Sequence, residues 1–304
     1  MKIVITGANS AVGLAILRCG PKLDATNTYI AAVRSARAIE QIRSKQGNAN
    51  DVVEISYDDP GSLDVAFQAA SAVIHLAGIL LESPNSTYEQ ANVASTRGVV
   101  EAAKRCAVQK IVLVSATRAD KTSSNRYYRT KGQAEALVFA SGLNYTVLRA
   151  PLLLGPETAG SAALQRNISG KRAKLIGGGR NFQQPLHVDD LARAALAATQ
   201  PTVSNNLILD LVGPVSLPER ELVESAARSL GRQVRIASIP KFWLSLVLGI
   251  RQHISKGGFS LDALEVITAN TRLNPQPAAD ALGIKLTGIA EMIKDSLGQG
   301  KQHE

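Results

Sequence analysis

The feature that most constrains this chain is its start. Lys2-Ile3-Val4-Ile5 is a short run dominated by β-branched residues, and Thr6-Gly7-Ala8-Asn9-Ser10-Ala11-Val12-Gly13 follows it directly. An apolar run closed by a turn predicts a strand covered on both faces of a parallel sheet. The small-residue turn leads into Ala11 to Leu17, whose amphipathic spacing predicts a helix. Strand, glycine turn and helix N-terminus in that order make an anion site, because free backbone N–H groups and the positive helix end face one point. In such a loop one glycine permits the tight turn, a second lets a diphosphate approach, and a third lets helix pack on strand. Gly7 and Gly13 fill the outer places at Gly-x-x-Gly-x-x-Gly spacing and Ser10 the middle one. Gly7, Asn9, Ser10, Ala11, Val12 and Gly13 are therefore the candidate diphosphate-binding residues.

At 304 residues the chain can bury a large core, as one α/β domain or one domain with a smaller lobe. No run of about eighteen apolar residues occurs, so no transmembrane segment is expected. Lys2 leads straight into a strand rather than into a signal peptide, and the expected location is cytoplasmic, peripheral at a membrane being the alternative. Cys19 and Cys106 lie far apart without metal spacing and read as reduced core thiols; no metal ligands are expected.

The net charge of +9 is unevenly spread. Thr158 to Val188 contains no acid but holds Arg166, Lys171, Arg172, Lys174 and Arg180. Arg118, Lys121, Arg126, Arg129 and Lys131 form a second group. Such fields favour anionic ligands, anionic lipid or nucleic acid, or are ordinary solvated faces. An aromatic content of 4% leaves few stacking platforms and makes nucleic acid an unlikely partner.

Thr28 to Val33 predicts the second strand, ending at Arg34. An acid there would bind the ribose hydroxyls of NAD, whereas an arginine suits the 2′-phosphate of NADP; a plain surface arginine is the alternative. Asp58, after the strand Val52 to Ser56, either reaches an adenine amino group or starts a helix. The fourth strand, Ala72 to Leu76, closes on Ala77-Gly78, small enough for a cofactor to pass. His75 within it reads as a core histidine. A long helix, Thr87 to Cys106, carries Asn92 toward the fifth strand, Lys110 to Ser115.

Tyr127 and Lys131 are four residues apart on a predicted helix and share one face. An ammonium beside a phenol draws its pKa down toward working range, and a hydroxyl from Thr117 or Ser115 could hold a carbonyl oxygen against the tyrosine. Standing alone, the pair would read as an amphipathic helix with a snorkelling lysine.

The motifs together resemble the short-chain dehydrogenase/reductase superfamily, in its extended or atypical branch. They are Thr6-Gly7 through Gly13, Arg34, Asp58, His75 to Gly78, Asn92, Val114 to Thr117, Tyr127 to Lys131, Leu148 to Pro151 with Gly155-Pro156, and His187 to Ala192, in family order. Phe259 to Leu264 and Ala281 to Thr287 resemble bacterial relatives of the nucleotide-binding accessory subunit of respiratory complex I. The resemblance implies that Gly7, Ser10, Ala11, Val12 and Gly13 form the pyrophosphate loop and that Arg34 binds the 2′-phosphate. It implies that Leu76, Ala77 and Gly78 line the adenosine side, that Asp58 and Pro151 belong to the cofactor site, and that Tyr127 is the acid–base. Lys131 would be its ribose-binding partner and Thr117 the substrate-orienting hydroxyl. Ser10 stands where the extended branch has glycine, and the loop from Arg118 to Arg126 is short and polar.

The expected fold is α/β, a doubly wound parallel Rossmann-type sheet with a small, mainly helical C-terminal lobe. Residues 1–150 and 184–212 would form the dinucleotide-binding domain, 151–183 and 213–298 the substrate lobe, and 299–304 a flexible tail. The expected function is an NADP(H)-binding oxidoreductase, NAD(H) being the less favoured cofactor, that reduces a carbonyl-type small molecule, an anionic one if the lobe cations face it. The alternative is a non-catalytic NADPH-holding subunit or assembly factor of a respiratory-type complex. Phe242 to Ile250, the most apolar stretch, admits three uses: a lid, a protein-partner or membrane contact, or core.

Overall fold

The computed structural model describes residues 1–46, 51–76, 78–251 and 258–298. The tail expected over 299–304 lies outside them. Seven strands form one parallel sheet: β1 Lys2–Thr6, β2 Thr28–Val33, β3 Asp51–Glu54, β4 Ala72–His75, β5 Lys110–Ala116, β6 Asn144–Ala150 and β7 Leu207–Asp210. Their spatial order is β7-β6-β5-β4-β1-β2-β3, so the order reverses beside β1, where ligands of open α/β sheets bind.

Period-two alternation divides the strand side chains between two buried layers. Ile3, Ile5, Ala31, Val33, Ile74 and Val112 pack under α1 (Ala11–Leu23), α2 (Ala36–Gln46) and, later in the chain, Val188–Ala197. Val4, Ala32, Val73, Ile111 and Leu113 face α3 (Pro60–Phe67), α4 (Ser95–Arg105) and α5 (Arg126–Phe139). Helix α1 runs past the expected Leu17 to Leu23 with Pro21 inside it. Gly20 lets the ring of Tyr29 lie against this helix, since a Cβ there would sit 2.6 Å from the ring. The long helix expected over 87–106 begins as a π-helical segment, Glu89–Ala94, and only then becomes α4.

The C-terminal lobe has its own core, in which Leu154, Leu164, Ile168, Leu175, Leu222 and Met292 meet. Helices α6 (Ala159–Ile168) and α8 (Glu219–Ser229) frame it, with α7 being Val188–Ala197 of the sheet layer. A two-stranded parallel ribbon, Arg172–Ile176 beside Arg235–Ile239, closes one side. Beyond the ribbon come α9 (Lys241–Arg251), α10 (Leu261–Thr268), α11 (Gln276–Leu282) and α12 (Ile289–Ser296). Asp190, fully buried at the start of α7, accepts from both the backbone N–H and the hydroxyl of Thr287 at 2.7 Å and so ties the C-terminal segment to the sheet layer. Among the described residues no helix is long and apolar enough to cross a membrane.

Candidate active and cofactor site

The glycine loop leaves β1 at Thr6 and turns at Gly7, whose φ of 73° lies in the left-handed region that glycine adopts without strain. Ser10 is the N-cap of α1; its Oγ accepts the Gly13 N–H at 3.1 Å. The middle place of the motif is thus filled by a residue that caps the helix. The N–H groups of Ala11 and Val12 have no intrahelical acceptor, as at any helix start, and the first turn of α1 carries no acid. A Cβ on Gly13 would come within 2.3 Å of the Ala8 carbonyl oxygen, so helix and loop touch backbone to backbone there. Asn9 fixes the loop from the other side, its carbonyl accepting from Gln41 at 3.4 Å. These residues fit a dinucleotide diphosphate: a close-packed backbone cradle on a positive helix end without a competing carboxylate.

Arg34 ends β2 with its guanidinium 5.9 Å from the ring of Tyr57, exposed and outside any ion pair among the described residues. Tyr57 is half-buried, and desolvation of its hydroxyl pushes it up to about 12 against a hydrogen bond with Thr6 that lowers it. Asp58 does not start the following helix: Asp59 is the N-cap, accepting from Gly61 at 3.0 Å. Asp58 stays exposed at the strand end. At the end of β4, Leu76 donates its N–H to the Thr6 carbonyl at 3.1 Å, and Ala77 lies outside the described residues. A Cβ on Gly78 would fall 2.9 Å from Asn92 Oδ1 and 3.2 Å from Lys131 Nζ, which sets glycine, amide and ammonium side by side.

Lys131 is 6% exposed, donates to the Val114 carbonyl at 2.9 Å, and has its pKa lowered to about 8 by burial, against the field of Glu135. Tyr127 packs edge-on against Tyr88 and Tyr128, with ring centroids 5.8 and 5.6 Å away. Burial first, and then those neighbouring phenols, push its hydroxyl well above the ordinary tyrosine range. The expected downward pull by Lys131 is corrected here, because the ammonium is held at the β5 carbonyl edge while the phenol sits among rings. Asn92, on the π-helical segment, donates to Thr130 Oγ1 at 2.9 Å and accepts the Ile79 N–H at 3.4 Å. π-Helical turns concentrate at functional sites. His75 is a core residue: wholly buried between Thr6 at 2.6 Å and Thr96 at 3.2 Å, it is held down to about 3 by burial and by the charge of Lys131, and is neutral.

A cavity of about 280 Å³ opens where the carboxyl ends of β5 and β6 meet the lobe. Thr117, Tyr127 and Pro151 line it from the sheet side; Leu164, Leu222 and Ile267 are among its apolar lobe walls. Thr117 opens onto this space, whereas Ser115 Oγ is enclosed without a hydrogen-bond partner. The short loop after β5 is held on α5, where a Cβ on Gly132 would lie 2.2 Å from the Lys121 nitrogen and Asp120 donates to the Tyr128 carbonyl at 3.1 Å. That contact brings Thr117 and Tyr127 to one cavity. Gln183, Glu219 and Thr271 supply polar lining, and burial raises the Glu219 pKa against a hydrogen bond from Asn181.

Among the described residues this lining contains no lysine or arginine, so the expectation of an anionic substrate draws no support from the cavity wall. Of the cations around the cavity loop, Arg126 forms a two-bonded pair with Glu82 at 2.9 Å, and Arg129 donates to the carbonyls of Ser123 and Ser124. Arg118 stacks over Tyr128 at 5.7 Å. Of the stretch Phe242 to Ile250, Phe242, Trp243, Leu246 and Val247 are exposed and Leu248 is buried, and none of these five lines this cavity. Sequence reasoning assigned no role to Glu219, Gln183 or Thr271, which come from separate segments with no shared spacing. Asn92 was quoted as a motif residue only; its place beside Gly78 needed the helix register.

A parallel sheet whose strand order reverses beside β1, with a glycine turn leading into α1, is the Rossmann-type architecture of dinucleotide-binding proteins. The chain belongs to the NAD(P)H-binding family, whose model matches residues 7–198. The 40 kDa subunit of mitochondrial NADH-ubiquinone oxidoreductase from Neurospora crassa is 23% identical over 206 residues, which are 67% of this chain and 54% of that protein. The chain spans about half the length of the curated relatives it matches first. Among solved structures, UDP-glucuronic acid 4-epimerase from Bacillus cereus with UDP-glucuronic acid and NAD superposes with a TM-score of 0.78 at 17% identity, covering 99% of both chains. An NADPH-dependent quinone oxidoreductase from Escherichia coli, complexed with NADPH, gives 0.72 at 19% identity over 96% of this chain and 98% of that one.

Proposed function

We propose that the chain is an NADPH-dependent reductase of an apolar carbonyl compound. The observation that carries this reading is the shared cavity: Thr117 and Tyr127 open onto one apolar space beside the β5 and β6 ends. The candidate diphosphate residues are Gly7, Asn9, Ser10, Ala11, Val12 and Gly13. Arg34 grips a 2′-phosphate, Asp58, Leu76 and Gly78 line the adenosine side, and Pro151 borders the nicotinamide end. When bound, the cofactor supplies hydride chemistry at a carbonyl carbon.

The Thr117 hydroxyl donates to the substrate oxygen and holds it near Tyr127. Burial keeps the proton on Tyr127 at neutral pH, so the phenol facing the substrate oxygen is in its donor form, though a weaker acid than a free phenol. Lys131 bridges the Val114 carbonyl and the Gly78 edge, where a ribose would lie. An apolar wall without arginine selects against nucleotide sugars, whose diphosphate needs bidentate cations.

The test is a titration followed by turnover with apolar aldehydes, ketones and quinones. Tyr127→Phe is expected to lower kcat by at least about 100-fold with NADPH affinity unchanged, and Arg34→Ala to remove a preference for NADPH over NADH. Full activity in Tyr127→Phe would reject the acid role; equal affinity of the wild type for both cofactors would reject the role of Arg34. A second reading, a non-catalytic NADPH-holding subunit or assembly factor, draws on the exposed face of α9 and the similarity to a respiratory subunit. It is favoured if NADPH binds tightly and no carbonyl compound of the panel is reduced.

A further inference from the structure

Two acid-free segments of the chain are neighbours in space. Residues 158–188 and 225–261 contain no aspartate or glutamate, and the parallel ribbon joins them: Arg172 pairs with Arg235, and Lys174 with Ala237. Side chains alternate along a strand, so Ala173 and Leu175 enter the lobe core while Arg172 and Lys174 face outward. Residues in register point to the same side, which sets Arg235 directly beside Arg172. Like charges opposite one another destabilise a strand pair, and neither arginine has an acidic partner among the described residues. Lys171 and Arg232 extend the same single-sign field, also exposed and outside any ion pair.

Pro240 turns the ribbon directly into α9. On that helix Phe242, Trp243, Leu246 and Val247 are 71%, 62%, 46% and 57% exposed, and their spacing puts them on one stripe. Leu248 is buried on the opposite side, and Lys241 holds Thr268 of α10 at 2.8 Å, so the helix is seated rather than loose. A contiguous exposed apolar stripe marks an interaction surface. An eleven-residue helix is about 16 Å long, too short to span a bilayer but long enough to lie in its interface. Aromatic residues on a helix that continues a basic ribbon are the chemistry of an anionic lipid surface, with tryptophan at headgroup depth and cations on the phosphates.

We propose that this face of the lobe docks on an anionic membrane, α9 lying in the interface through Phe242 and Trp243 while Arg172, Lys174 and Arg235 meet the headgroups. The charge carries the choice of occupant: a second copy of this face would set arginine against arginine. The proposal is independent of whether the cavity turns over a substrate.

Trp243 is the chain's only tryptophan, so the native protein reports its own docking. The full chain is titrated with vesicles of phosphatidylcholine alone and of phosphatidylcholine containing 30% phosphatidylglycerol. Cosedimentation and a blue shift of the emission are expected with the anionic vesicles only, and both are expected to be lost in high salt. Brominated acyl chains are expected to quench Trp243. Arg172→Gln, Lys174→Gln and Arg235→Gln together are expected to weaken binding by roughly 100-fold, about fivefold for each cation. Phe242→Ser with Leu246→Ser, all exposed sites that leave the fold intact, removes the apolar anchor and is expected to abolish the shift. Unshifted emission with anionic vesicles at low salt would overturn the proposal, as would equal binding to neutral vesicles. Sedimentation equilibrium showing a dimer that shields Trp243 from aqueous quencher would overturn it in favour of a second copy.

Discussion

The two halves of the molecule treat charge in opposite ways. Around the sheet, two acids are turned inward and matched: Arg149 grips the buried Glu135 through bonds of 2.9 and 2.6 Å, and Asp190 is enclosed with Arg193 and Thr287. On the lobe ribbon, Arg172, Lys174 and Arg235 are exposed and form no ion pair among the described residues. Matched buried charge fixes one geometry, because any displacement leaves an uncompensated ion in a low-dielectric interior. Unmatched surface charge fixes nothing within the chain and acts only on what approaches it. Among the described residues none of the cations behind the +9 total lines the cavity.

The largest expected effect tests the inward half. Arg149→Ala strands Glu135, which is 2% exposed, and is expected to destabilise the fold by about 3–5 kcal/mol in urea unfolding. A loss below about 1 kcal/mol would mean that the pair behaves as a surface contact and that the contrast is false. Lys131 tests the half in a second way. Its pKa is lowered from an ordinary 10.5 to about 8, so between those values the unfolded chain binds the proton that the folded chain has released. Stability contributed by this site therefore rises as pH climbs from about 8 to 10.5, and the burden of the buried ammonium is fully present below about 8. Lys131→Met is expected to be more stable than wild type by about 1–3 kcal/mol at pH 7, with the gap closing toward pH 10.5. A constant gap across that range would assign the effect to packing instead. The smallest effect is expected on the ribbon, where Lys174→Gln with Arg235→Gln should change stability by less than about 0.5 kcal/mol, a thermal-melt comparison deciding.

The sheet was legible in the residues because its strands are continuous apolar runs bounded by turn chemistry. Ile3 to Ile5, Val73 to His75 and Ile111 to Val114 have no other place to go. The glycine loop was legible for the same local reason, down to the place where Gly13 meets Ala8. The Tyr127 and Lys131 pair was legible as a spacing but not as electrostatics, since the rings that bury Tyr127 include Tyr88 from a different helix. Cavity walls from α8 and α10 carry no local signature, because their apolar residues satisfy the same periodicity whether they face a core or a void. The stretch from Phe242 was undecidable for a related reason: periodicity reports a stripe, and only packing tells which side of α9 the body of the protein takes. Nor did the basic group at Arg118 to Lys131 show in sequence that Arg126 and Arg129 are engaged within the chain, by Glu82 and the Ser123 carbonyl.

Helix α10 has neighbours on three sides. Thr268 receives Lys241 of α9, Val266 and Ile267 form cavity wall, and Asp262 with Glu265 hold the first turn of α5 through Arg126 and Asn125 at 2.9 and 2.8 Å. The next residue along that turn is Tyr127. Helix α10 thus touches the outer helix α9, the cavity and the helix start that carries Tyr127, so a push on α9 would have a packed route to that ring.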